Sequence, residues 1–138
     1  METDVQVRAR DWLRKGGVRP TRQRLALAAL LVGDGRNRHV TAEGLHRLAA
    51  SRGAAVSKAT VYNTLGLFCD AGLLNEIAVD GQTSSFDTCT TDHAHFFNER
   101  SGRLTDAPPN LVDVRVLAPP PDGTEIARVD VVVRLREI

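Results

Sequence analysis

Three histidines and one aspartate of this sequence carry side chains that bind transition metals, and they are His39, Asp87, His93 and His95. His93 and His95 are two positions apart on a run that we predict to be a strand, so both imidazoles would point to the same face. Three imidazoles with a carboxylate suit zinc, manganese or ferrous iron. A lone His-x-His pair also occurs on protein surfaces without a metal, and spacing alone does not decide whether the four side chains meet.

A second group of side chains is suited to phosphate oxygens and base edges. It lies at the start of a predicted helix and comprises Ser57, Lys58, Thr60, Tyr62 and Asn63. An amide such as that of Asn63 can bond an adenine edge with two hydrogen bonds. Three arginines at the start of an earlier helix could contact the nucleic-acid backbone, and they are Arg19, Arg22 and Arg24. The alternative is a solvated polar helix face that binds nothing.

An enzyme would have to use Ser57, one of His93 and His95, and Asp87 or Asp92. No nucleophile-elbow, phosphate-loop or HExxH pattern accompanies these residues. We therefore expect no catalytic residues and no enzymatic activity.

The charge of the chain is divided between its two halves. Residues 1–60 hold twelve Lys and Arg against five Asp and Glu, and residues 61–138 hold six against twelve, although the net charge is only +1. A basic half suits a polyanionic partner such as DNA. No apolar run approaches a membrane span, and the polar N-terminus does not read as a secretory signal, so we expect a cytoplasmic protein. Cys69 and Cys89 form no CxxC pair, which argues against a disulfide framework or a cysteine zinc site.

The elements that would position these residues are helical in the first half. Apolar periodicity and glycine or cap signals predict helices in residues 4–15, 20–32 (with Pro20 in the first turn), 41–52 and 57–72. Arg36–His39 is predicted to be a loop. The last two helices, joined by a tight turn, have the pattern of a helix-turn-helix.

The second half is predicted to be extended. Runs at 75–79 and 83–87 flank Asp80-Gly81, a strong hairpin signal, and a hairpin after a reading helix would be the wing of a winged helix. Further strands are predicted at 93–98, 111–117 (where a short helix is the alternative) and 126–135. The fold class is therefore α+β.

Several stretches resemble the ferric uptake regulator (Fur) family, in order over about residues 10–105. They are RPTRQR at 19–24, HVTAE at 39–43, SKATVYNTL at 57–65 and DHAH at 92–95. Within that family, residues 86–97 and 125–135 are most similar to the iron response regulators (Irr) of alphaproteobacteria.

The resemblance implies a homodimer with a winged helix-turn-helix DNA-binding domain at 1–88 and a small α/β dimerisation and metal-sensing domain at 89–138. It implies one divalent metal per subunit on His39, Asp87, His93 and His95, with Asp87 where relatives often have Glu. The expected function is an iron-responsive regulator that binds promoter DNA and controls iron or haem genes. The alternatives are a peroxide-sensing regulator of the same family and a metal-binding protein without a DNA function.

Some positions depart from the family pattern. Asn98 and Ser101 stand where zinc-binding cysteines usually follow, so that zinc site should be absent. Asp92 and Ala94 leave a second metal site incomplete. Some haem-sensing relatives use a Cys-Pro motif, but neither cysteine of this sequence precedes a proline. His93 and His95 remain the candidate haem ligands.

Overall fold

Each helix begins at a hydroxyl side chain that accepts a backbone N–H of the first turn. In the computed structural model, which describes residues 1–81 and 83–138, the caps are Thr3, Thr21, Thr41 and Ser57. They begin α1 (Asp4–Lys15), α2 (Arg22–Val32), α3 (Ala42–Ser51) and α4 (Lys58–Asp70). The four predicted helices are confirmed. Pro20 was wrongly placed in the first turn of α2, because Thr21 is the cap and Pro20 precedes it.

Contacts divide the chain into two compact units, residues 1–90 and 91–138. The core of the first unit is formed by leucines of α1, α2 and α3 together with one face of α4. Val61, Leu65 and Phe68 of α4 are fully buried, as their helical spacing predicts. The Phe68 ring meets the Trp12 ring edge to face, with centroids 5.0 Å apart. This packing holds α4 in place and leaves its opposite face exposed.

A three-stranded antiparallel sheet completes the first unit. Its strands are β1 (His39–Val40), β2 (Asn75–Ala78) and β3 (Ser84–Asp87), in the order β1-β3-β2. The predicted hairpin is confirmed, and the Asp80 carboxylate accepts the Thr83 N–H across the turn at 2.8 Å. The predicted loop at 36–39 is wrong at His39, which pairs with Asp87 of β3. A strand of two residues has no alternation from which it could be predicted.

The second unit is built from β4 (His95–Asn98), β5 (Leu104–Asp106) and β6 (Val132–Leu135), in the order β5-β4-β6. Strand β4 runs antiparallel to β5 and parallel to β6. The structure describes all of residues 91–138, and they include no helix. The α+β class is confirmed, with every described helix in the first unit.

Three strand predictions in this unit need correction. Residues 111–117 form neither a strand nor a helix, and the predicted strand at 126–135 is reduced to β6. The apolar side chains of residues 111–117 alternate but stay exposed, from 38% at Val112 to 90% at Leu117. Alternation is not enough without a neighbouring strand to supply hydrogen bonds. The strand predicted at 93–98 begins only at His95. Among the described residues, no helix is long and apolar enough to cross a membrane.

Candidate functional site

The first unit carries two of the candidate metal ligands, His39 and Asp87. They face each other in the register of β1 and β3, with His39 Nε2 3.1 Å from Asp87 Oδ2. The Asp87 side chain is only 1% exposed, and its other oxygen, Oδ1, accepts the Cys89 N–H at 2.9 Å. The backbone therefore orients the carboxylate so that one oxygen is presented to the imidazole.

The residues next to this pair fix it in place. The Arg38 N–H donates to Thr88 Oγ1 at 2.9 Å, and the Thr88 N–H donates back to the Arg38 carbonyl at 3.1 Å. The Arg38 guanidinium donates to the Leu30 carbonyl at 3.0 Å and forms an ion pair with Asp34. Contacts with Arg36 and Arg38 lower the pKa of Asp34 below its usual value, so this ion pair persists into acid. These bonds attach the segment before His39 to α2 and to the end of β3.

The second unit carries His93, His95 and Asp106. His93 Nε2 lies 3.1 Å from Asp106 Oδ1, and His95 Nε2 lies 3.6 Å from the same oxygen. The two imidazole centroids are 4.2 Å apart, and His93 Nδ1 is 2.6 Å from the Thr91 carbonyl oxygen. This contact leaves the Nε2 atom of His93 directed at the carboxylate.

Asp106 is the residue of this group that sequence reasoning missed. It comes next to His95 because β4 and β5 pair antiparallel with His95 opposite Asp106. Strand β5 has three residues, and nothing in their pattern distinguishes Asp106 from the other acidic residues of the second half. Asp106 is identified only from the register of β4 and β5, which the structure supplies.

Both sets fit a divalent metal by their chemistry and spacing. Imidazole and carboxylate ligands at about 2.0–2.2 Å from a tetrahedral ion lie roughly 3.3–3.6 Å from one another. The N···O distances of 3.1 and 3.6 Å in the second unit, and of 3.1 Å in the first, are close to this range. Each unit thus presents nitrogen and oxygen ligands that need little movement to take up a cation.

The predicted DNA-contacting residues at 57–63 are of two kinds, those that cap α4 and those on its exposed face. Ser57 Oγ accepts the Thr60 N–H at 3.1 Å and donates to Thr60 Oγ1 at 2.9 Å, so these two hydroxyls serve the start of the helix. Lys58, Tyr62 and Asn63 are exposed, Tyr62 by 52%. The side chains available to an incoming ligand are therefore these last three.

Lys58 has an acidic neighbour that the sequence did not suggest. Its Nζ atom lies 2.8 Å from Oε1 of Glu43, in the first turn of α3. The hydrogen bond and charge of Lys58 lower the pKa of Glu43 below its usual value, and Glu43 in turn raises the pKa of Lys58. Both groups are therefore charged at neutral pH.

The three predicted arginines lie around the start of α2. Arg19 and Arg22 are exposed, and Arg24 donates from its guanidinium to the Arg19 carbonyl at 3.0 Å. Arg24 thus closes the turn before the helix, while the other two guanidinium groups face solvent.

A family model described as the ferric uptake regulator family matches residues 15–117. The chain belongs to the ferric uptake regulator family. Among Fur-family relatives, the peroxide-responsive repressor PerR of Staphylococcus epidermidis is 36% identical over 107 residues, which is 77% of this chain and 70% of PerR. The peroxide operon regulator of Bacillus subtilis is 34% identical over 120 residues, which is 86% of this chain and 81% of the relative.

Solved Fur structures share the fold. The ferric uptake regulator of Pseudomonas aeruginosa with manganese superimposes with a TM-score of 0.68 at 25% identity, covering 94% of this chain and 97% of that one. These Fur-family proteins are named as regulators or repressors and not as enzymes.

Proposed function

We propose that this chain is a metal-dependent transcription regulator that binds promoter DNA and responds to peroxide. The observation that carries the proposal is the similarity to two peroxide regulators over more than three quarters of the chain. The iron-responsive function expected from the sequence is less well supported than its peroxide-sensing alternative, and the resemblance to Irr stays a prediction.

The DNA-binding part of the proposal is supported by the first unit. A helix-turn-helix formed by α3 and α4 is followed directly by a hairpin, the arrangement of a winged helix. Packing of Phe68 into the core presents Lys58, Tyr62 and Asn63 on the outer face of α4. We assign base and phosphate contacts to these three side chains. The other predicted contacts, Ser57, Thr60, Arg19, Arg22 and Arg24, are assigned to backbone phosphates or to helix capping.

The metal part of the proposal assigns one divalent ion to each subunit. Its ligands are His39 and Asp87 of the first unit with His93 and His95 of the second, as the family resemblance implies, and we add Asp106 because it lies beside both histidines of its unit. Bound ferrous iron would supply one-electron chemistry toward peroxide. The protein would supply oxidisable imidazoles at the ion and carboxylates that hold it, so oxidation of an imidazole would remove a ligand.

The proposed assembly is a homodimer on operator DNA in the cytoplasm. Seven large apolar side chains of residues 111–129 are exposed in the single chain, and they are Leu111, Val112, Val114, Val116, Leu117, Ile126 and Val129. Exposed apolar surface of this extent marks an interaction surface, and a second copy is the partner for which the family provides precedent. A two-fold dimer would present two α4 helices to half-sites about one helical turn apart.

Peroxide treatment of the iron-loaded protein, followed by mass spectrometry and DNA binding, tests this function. We expect an added oxygen on one of the ligand histidines and loss of operator binding. His46 is the matched internal control, because it is the only other histidine and belongs to neither ligand set. Unmodified ligand histidines with retained iron-dependent DNA binding would favour iron sensing instead.

A variant with both His93→Ala and His95→Ala separates metal binding from the alternatives. We expect it to lose the bound metal and metal-dependent DNA binding, whereas His46→Ala should retain both. A protein that binds metal but shows no specific DNA binding in any state would overturn the regulator proposal. Haem binding that disappears in the double variant would instead favour a haem sensor.

A further inference from the structure

The ion pair between Lys58 and Glu43 connects the two helices of the helix-turn-helix on their outer surface. Lys58 is the first residue of α4, and Glu43 is the second residue of α3. The side chains are 52% and 61% exposed, and their charged atoms are 2.8 Å apart. A pair so exposed adds little to folding stability, because water and salt screen it. Its position beside the residues assigned to DNA suggests a different role.

Glu43 and the reading face of α4 share one groove. A cavity of about 550 Å³ between α3, α4 and the hairpin is lined by both Glu43 and Tyr62. Arg47 also acts on Glu43 and on Lys58 through its charge, and it lowers the pKa of both. The Glu43 carboxylate therefore lies near Lys58 and Arg47 at the edge of the surface that a duplex would cover, and Glu76 of β2 is a second carboxylate that lines the same cavity.

A carboxylate bound to Lys58 competes with DNA phosphate for the same ammonium group. A free surface lysine that contacts a phosphate displaces condensed cations from DNA, which favours binding to any sequence. A lysine already paired with Glu43 must first break that bond. The negative charge of Glu43 also repels a phosphate that approaches the groove.

We propose that Glu43 is a specificity-determining residue that withholds Lys58 from DNA phosphates unless other contacts of α4 compensate for the broken ion pair. On an unrelated duplex no other contact offsets the free energy needed to break the Lys58–Glu43 ion pair, so non-specific binding is weakened. On a recognised sequence, contacts from Tyr62 and Asn63 offset it. Specificity then comes partly from a penalty against the wrong partner. This inference rests on the proposed DNA binding by α4.

The test compares Glu43→Gln, Lys58→Gln and the double variant with the wild-type full-length, metal-loaded protein. Fluorescence anisotropy measures binding to a duplex selected by the wild-type protein from a random library and to a scrambled duplex of the same composition, at several salt concentrations. Glu43→Gln should bind the scrambled duplex up to about fivefold more tightly, the range of an exposed ion pair. Its affinity for the selected duplex should change less, so the ratio of the two affinities falls.

Two control variants separate the effect of the ion pair from the effect of removing a negative charge elsewhere on the helix-turn-helix. Asp70→Asn removes the same charge at the opposite end of α4 and should leave the affinity ratio unchanged. Glu43→Asp keeps the charge but shortens the side chain, and we expect an intermediate ratio. Neither change at Glu43 disturbs the Thr41 cap, whose bond goes to the Gly44 N–H, and circular dichroism checks that helix content is retained.

The outcomes distinguish this inference from the function on which it rests. An effect of Glu43→Gln that equals that of Asp70→Asn, or that persists in the Lys58→Gln background, would overturn the inference. If Lys58→Gln weakens binding to both duplexes while Glu43→Gln matches the wild type, the inference fails and DNA binding by α4 stands. If neither Lys58→Gln nor Tyr62→Ala alters DNA binding, the assignment of α4 fails.

Discussion

Replacement of Thr88 by valine should weaken metal binding although residue 88 has no ligand atom in the proposed site. The Thr88 hydroxyl accepts the N–H of Arg38, the residue before His39, and Thr88 itself follows Asp87. Valine has nearly the shape of threonine but lacks the hydroxyl. The change therefore removes the acceptor of the Arg38 N–H and the longer bonds, both 3.4 Å, that the hydroxyl donates to Asn37 Oδ1 and to the Arg38 carbonyl. It leaves the backbone bond from the Thr88 N–H to the Arg38 carbonyl and the pairing of β1 with β3.

The expected loss of stability follows from the hydrogen-bond acceptor that the Arg38 N–H loses. A part-buried donor left without an acceptor costs about 1–3 kcal/mol, and partial access to water places this case near the lower end. The free energy of unfolding should therefore fall by about 1–1.5 kcal/mol. Loss of a residue that orients a metal ligand typically lowers metal affinity by about 10- to 100-fold. We expect roughly tenfold, because the ligands His39 and Asp87 are unchanged.

The assay is a competition between the protein and a metal chelator, with urea unfolding of the metal-free protein beside it. Thr88→Ser is the matched control, since it keeps the hydroxyl and loses only a methyl group. The serine variant should bind metal within about threefold of the wild type (less than 1 kcal/mol), because the acceptor for Arg38 is retained. Metal binding by Thr88→Val at wild-type affinity would refute the reasoning, and so would an equal loss in the serine and valine variants.

Phe68→Ala should lower the free energy of unfolding by about 3–5 kcal/mol, because a fully buried ring in contact with Trp12 is lost. Urea unfolding followed by the fluorescence of Trp12, the single tryptophan, measures this free energy. A loss below about 1 kcal/mol would contradict the packing. The stabilising contribution of the Glu43–Lys58 pair should be present above the usual Glu pKa of 4.5 and disappear as the pH falls through the lowered pKa of Glu43. The carboxyl ¹³C shift of Glu43 should titrate at a lower pH in the wild type than in Lys58→Gln, because Lys58 is the largest cause of the lowered pKa. Equal midpoints would exclude the ion pair in solution. Val114→Glu should shift the protein from dimer to monomer in sedimentation velocity, whereas Asp113→Asn beside it should not, and an intact dimer in the glutamate variant would place the interface elsewhere.

The helical half was predictable because its signals are local. A hydroxyl cap, buried residues at helical spacing and Gly72 after the last turn define α4 within sixteen residues of sequence, and the structure confirms each of them, with Gly72 at a φ of +76°. The hairpin was predictable for the same reason, since Asp80 and its neighbours specify the turn on their own.

The rest could not be predicted because it depends on pairing between distant residues. Strand β1 exists only because Val40 and the residue before it find β3 more than forty positions away. Residues 111–117 show the opposite case, because an alternating pattern there lacks a partner strand within the unit. The ligands His39, Asp87, His93 and His95 could be proposed from their types and a family pattern, but Asp106 needed the register of β4 and β5.

Strand β3 ties the proposed chemistry of the first unit to its DNA-reading surface. Asp87 at one end pairs with both β1 and β2, while Ser84 at the other end enters the hairpin loop. Four residues of strand span only about 10 Å, and β2 pairs with all four of them. The proposed ligand Asp87 and the residue that enters the hairpin loop therefore belong to one short strand, with no loop or hinge between them. In this unit the proposed metal ligand and the proposed wing are separated by the length of one strand.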